Sequence, residues 1–73
     1  MGEIPINEDD FNMEIRKFLK KVGITSQREI AHAVEKALSD GKLSGSEVLT
    51  AKMRLEMPGI DLELEINGDI ALD

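Results

Sequence analysis

Apolar residues recur at helical spacing in the first half of the chain and at every second position in the second half. Phe11, Ile15, Phe18, Leu19 and Val22 fall at i, i+4, i+7, i+8 and i+11, which is one stripe of a helix. Asn7 stands ahead of them as an N-cap, and Glu8, Asp9 and Asp10 complement the helix dipole. Gly23 reads as a C-terminal cap, so a first helix is predicted over about 8–22. Ser26 and Glu29 have the spacing of a capping box, and Ile24 just before them is placed to pack back toward Ile30. Ile30, Ala33, Val34, Ala37 and Leu38 form a second stripe, which Gly41 ends. A second helix is predicted over about 26–40, joined to the first by a tight corner.

After the polar loop from Lys42 to Glu47 the period becomes two. Leu49, Ala51, Met53, Leu55 and Met57 alternate with Thr50, Lys52, Arg54 and Glu56. Pro58-Gly59 is a turn signal, Ile60, Leu62, Leu64 and Ile66 alternate with acids, and Asn67-Gly68 is a second turn signal before Ile70 and Leu72. Strands are predicted over about 48–57, 60–66 and 69–73. Keeping every apolar side chain on one face limits the register. A loop over 57–60 pairs Leu55 with Leu62 and Met53 with Leu64, and sets Arg54 opposite Glu63 and Lys52 opposite Glu65. A three-residue loop of Ile66, Asn67 and Gly68, with Gly68 left-handed in a bulge, keeps the third strand in phase.

The predicted fold is therefore α+β. Two helices pack on one face of a three-stranded antiparallel meander, which buries every stripe at once. The expected core is Phe11, Ile15, Phe18, Leu19, Val22, Ile30, Val34, Leu38, Ala51, Met53, Leu55, Leu62, Leu64, Ile70 and Leu72. Residues 1–6 read as a disordered extension and 7–73 as a single domain.

Composition narrows the function more than it names it. The 73 residues include no cysteine, so neither a disulfide nor a cysteine-based zinc site is available. A chain of this size buries only about 60% of its unfolded surface, so efficient packing or a partner must supply stability. The formal net charge of −6 opposes general affinity for nucleic acid or anionic membranes. The sign is divided along the chain. Residues 11–38 hold six Lys/Arg against three Asp/Glu, and residues 47–73 hold two against seven. The first ten residues carry neither a basic cluster nor an apolar run, and no apolar stretch approaches the ~20 residues of a membrane span. A cytoplasmic protein without membrane contact is expected.

No residue pattern carries a reaction. His32 lies opposite the apolar stripe with Arg28 and Lys36 at i−4 and i+4, cations that disfavour a bound metal. Ser26, Ser39, Ser44 and Ser46 have local roles in caps and loops, and none stands in a nucleophile elbow. Asp61, Glu63, Glu65, Asp69 and Asp73 fan along a strand and do not converge on a cation. Neither an enzyme, a cofactor nor a metal is expected. The helical corner resembles a helix-turn-helix, with Arg16, Lys17, Lys20 and Arg28 on its outer side, although Glu29, Glu35 and the acidic whole oppose that use. Met13 is an apolar residue placed among these cations, as at contact surfaces. Met13, Arg16, Lys17, Lys20 and Arg28 are the candidate interaction surface.

The run Asn7-Glu8-Asp9-Asp10-Phe11-Asn12-Met13, then Ile15-Arg16-Lys17-Phe18-Leu19, then Val22-Gly23 and Ser26-Gln27-Arg28-Glu29-Ile30, resembles a family of short uncharacterised bacterial proteins. The likeness extends from Asn7 to Leu72. It implies a small stand-alone bacterial protein and brings no activity, ligand or catalytic residue with it. The expected function is a non-enzymatic protein–protein interaction module, whose partner is an unknown protein or a second copy in a homodimer. The alternative is a nucleic-acid-binding regulator using the helical corner.

Overall fold

The computed structural model describes residues 6–73, so all of the expected extension except Ile6 lies outside the described residues. The chain divides into two units, the second beginning at Ala37. The described residues form one helix and one β-hairpin.

The helix, α1, runs unbroken over Glu8–Ser39. Its start follows from Asn7, whose side-chain Oδ1 accepts the Asp10 N–H at 3.1 Å while its carbonyl accepts the Phe11 N–H at 2.9 Å. Its end is a Schellman motif. Gly41 adopts φ 77°, the Lys42 N–H reaches the Ala37 carbonyl at 2.8 Å, and the Gly41 N–H reaches the Leu38 carbonyl at 3.2 Å.

The predicted corner does not form. Gly23, Ile24, Thr25 and Ser26 are helical, and Gly23 has no positive φ. The physical reason lies in the phase of the two stripes. Phe11, Val22 and Ala33 are eleven residues apart, as are Ile15, Ser26 and Ala37, and eleven residues is about three helical turns. One straight helix thus carries both stripes on one face, and a single Gly costs it only about 1 kcal/mol. The Ser26–Glu29 capping box is a chance match inside the helix, and Ile24 stays 51% exposed instead of packing on Ile30 as a staple.

The hairpin pairs β1, Val48–Met57, with β2, Leu62–Ala71, across a 3-10 turn at Pro58–Ile60. Among the described residues the sheet has two strands, not three. Asn67-Gly68 is not a turn, because Gly68 sits in β2 opposite Ala51 and no bulge is needed to keep Ile70 in phase. The loop is four residues, as expected, but covers 58–61 and not 57–60. Asp61 closes it in the left-handed region, φ 54°, with its N–H on the Pro58 carbonyl at 3.2 Å. Asp is one of the few residues that tolerate that conformation. This one-residue displacement keeps the parity but moves the partners, so Leu55 faces Leu64, Met53 faces Ile66, Arg54 faces Glu65 and Lys52 faces Asn67.

The expected core is also corrected. None of its members is buried, and none of the other described residues is. Val22, Val34, Ala51, Leu55, Leu62, Ile70 and Leu72 are half-buried, and the remainder are exposed, among them Phe11, Phe18, Leu19 and Leu64. A 32-residue helix can hold its own backbone hydrogen bonds in water, but a lone two-stranded hairpin is marginal.

Candidate functional site

Because α1 is continuous, it presents two opposite faces. The apolar face runs from Phe11 through Ile15, Phe18, Val22 and Ile30 to Ala37, and every described residue on it is exposed or half-buried. The opposite face gathers the candidate surface. At about 100° per residue, Met13, Lys17, Lys20 and Arg28 fall in one line along the helix, with Arg16 at its flank. Sequence reasoning missed Ile24 and Ala31, which lie in the same line. The signal was present in the spacing, but it disappears once the helix is divided at Gly23. Met13 is 61% exposed. Lys17 is engaged by Glu14 at 3.0 Å, with both side chains open to solvent, so the pair adds little stability.

Farther along α1, Ile24, Gln27, Arg28, Ala31, His32 and Glu35 line a shallow depression. It is the groove between neighbouring helical turns and has no enclosing wall. Among the described residues no three His, Asp or Glu side chains are placed to share a metal ion. Ser26 is inside the helix and half-buried, and Ser39 is its last residue.

The hairpin also has two faces. On one, Leu49–Ile70, Ala51–Gly68, Met53–Ile66, Leu55–Leu64 and Met57–Leu62 form five apolar cross-strand layers. Ile66 is 55% exposed on it. On the other, Thr50–Asp69, Lys52–Asn67, Arg54–Glu65 and Glu56–Glu63 are polar. The like-charged Glu56–Glu63 pair is relieved by Arg54, whose Nε lies 2.6 Å from Glu56 and whose terminal nitrogen lies 3.6 Å from Glu63. The acidic row of β2 is therefore partly neutralised by the neighbouring strand.

The loop before β1 closes on Glu47. Its carboxylate accepts the Ser44 N–H at 2.9 Å and the Gly45 N–H at 3.0 Å, with Gly45 at φ 102°. The Ser44 and Ser46 hydroxyls lie 3.0 Å apart. Backbone donation from Ser44, aided by Gly45 and the Ser44 side chain, holds the Glu47 carboxyl below the usual carboxylate range despite some opposing desolvation. Its role is to fix the entry to β1.

A family model describes these elements together, matching residues 6–73. The chain belongs to the family of unknown function DUF6494. That match takes in both α1 and the hairpin, and the family description carries no activity. No curated protein and no solved structure matches the chain. No helix among the described residues is long and apolar enough to cross a membrane.

Proposed function

We propose that this member of the family is a non-enzymatic protein-association module, acting in the cytoplasm as its sequence suggests, whose hydrophobic core is completed by a partner chain. The single observation that supports this reading is the hairpin face. Five apolar layers in register give it the pattern of an inner sheet surface, yet Met53, Met57, Leu64 and Ile66 are 41–55% exposed. Burying one such side chain is worth about 1.5–3 kcal/mol, and a two-stranded hairpin on its own is marginal in water without such burial. The apolar face of α1 adds a second surface of the same kind. The helix-turn-helix corner required by a nucleic-acid reading has no counterpart, since residues 23–26 are helical.

Differential scanning calorimetry of the purified chain over a range of concentrations tests the proposal. Association requires that cooperative unfolding weaken and shift downward on dilution, or be lacking when the chain is alone. A cooperative transition at one fixed temperature at every concentration would place the core within a single copy and overturn the reading.

A further inference from the structure

The middle of α1 concentrates one sign of charge. From Ile15 to Arg28 the helix carries Arg16, Lys17, Lys20, Lys21 and Arg28 and no acid. All five are exposed. Four of them crowd one another. Arg16 and Lys20 are four residues apart, Lys17 and Lys21 also four, and Lys17 and Lys20 three. Like charges at those spacings are neighbours on a helix and lower its stability. Among the described residues, the one ion pair this group makes is Lys17 with Glu14. The fold does not require the repulsion, since an acid at any of these exposed positions would relieve it. A local conflict without a compensating contact marks a surface suited to something outside the chain.

We propose that this side of α1 docks an acidic amphipathic helix of another protein. Charge and spacing together choose that occupant. Met13, Lys17, Lys20, Ile24, Arg28 and Ala31 follow one another at intervals of four, three, four, four and three residues, so they form one seam of about five turns. Anchors at such intervals are those by which helices are recognised. Met13 is 61% exposed and Ile24 51%, and the two bracket Lys17 and Lys20 along the seam. From Ile24 onward the seam runs into the shallow depression between helical turns. A facing helix with Asp or Glu level with Lys17, Lys20 and Arg28, and apolar side chains level with Met13 and Ile24, answers every one of these groups. Nucleic acid would satisfy the cations but present phosphates to Met13 and Ile24, and the formal net charge of −6 opposes its approach. A membrane would take up the stripe of Phe11, Ile15, Phe18 and Val22, which turns Lys17 and Lys20 away from the lipid. A second α1 would bring the same cations to the seam. This surface is not the hairpin face on which the association reading rests, and either can fail without the other.

Amide NMR of the isotopically labelled full chain tests the proposal with four probes. The first is a helical peptide of Leu, Ala and Glu, about 20 residues long so that it spans the seam. The others are the same peptide with Lys at every Glu, a short DNA duplex, and vesicles of phosphatidylserine and phosphatidylcholine. The expected result is that the Glu peptide shifts amides along the line from Met13 to Ala31 and the Lys peptide does not. Lys17→Glu with Lys20→Glu should weaken the Glu peptide about tenfold or more and let the Lys peptide bind in its place. Met13→Gln with Ile24→Gln should weaken it about fivefold. Lys20→Gln should raise the melting temperature of the helix while weakening binding, a combination that loss of fold does not produce. No response to the Glu peptide, or a response that reversing both lysines leaves unchanged, would overturn the proposal. Tighter binding of the duplex to the same residues, indifferent to Met13→Gln with Ile24→Gln, would overturn it in favour of a nucleic acid. Vesicle-induced broadening centred on Phe11, Ile15 and Phe18, with no response to the Glu peptide, would overturn it in favour of a membrane surface.

Discussion

Glu56 and Glu63 face each other across the hairpin, and the guanidinium of Arg54 lies against both. Two carboxylates directly opposite are unfavourable in a sheet, so Arg54 is needed for that register. Replacing it with Ala should destabilise the hairpin by about 0.5–1 kcal/mol at low ionic strength, with the loss fading as salt rises, because all three side chains are solvent-exposed. Adding Glu63→Gln should recover most of it. Urea titrations at two salt concentrations measure both effects, and an Arg54→Ala loss that ignores salt would show that packing, not charge, is responsible.

Gly23 lies mid-helix with negative φ, and nothing stands within 4 Å of where a Cβ would be placed. Gly23→Ala should therefore raise stability by up to about 1 kcal/mol, and Gly23→Pro should lower it by about 3 kcal/mol or more. Circular dichroism melts check the pair. A destabilising Ala together with a tolerated Pro would restore the corner that the sequence suggested.

Gly68 is the counterpart in β2. It is extended opposite Ala51, again with open space at the Cβ position. Gly68→Val should add strand propensity and apolar surface, and stabilise the hairpin by about 0.5–1 kcal/mol. Had Gly68 been left-handed in a bulge, the same change would cost stability, so the sign of the shift in the urea midpoint decides between the two strand arrangements.

Glu47 links stability to acid. Its carboxyl is held below its ordinary value by the Ser44 and Gly45 amides, so its contribution is present above the unfolded pKa, about 4.3, and is lost as pH falls through the lower folded value. Glu47→Gln should be less stable than the parent at neutral pH, and the difference should close toward strongly acid pH. Melting temperatures of both proteins across that range provide the check, and a difference that stays constant with pH would remove ionisation as its cause.

Local chemistry made the ends of the elements legible, but continuity through their middles was not. Asn7 and Gly41 mark the helix limits by capping groups that act within a few residues, and they stand where the sequence reading placed them. The span of β1 and the odd–even pairing of the strands follow from alternation alone. Gly23 and Ser26 resembled a stop and a start because such residues favour helix ends, yet each is also tolerated inside a helix at modest cost. The eleven-residue phase linking Phe11, Val22 and Ala33 outweighs them. Asn67-Gly68 misled in the same way, although Leu62 to Leu72 already alternates without a break in parity. That Met13, Lys17 and Lys20 align with one another follows from spacing alone, whereas their alignment with Ile24, Arg28 and Ala31 required the unbroken helix.

Sedimentation equilibrium of the full chain, from low micromolar to millimolar concentration, tests most directly whether the exposed apolar faces of α1 and the hairpin are covered by association. The expected result is a mass above that of one chain, falling toward one chain only on dilution. A single-chain mass at every concentration, with cooperative unfolding retained by that single chain, would contradict it.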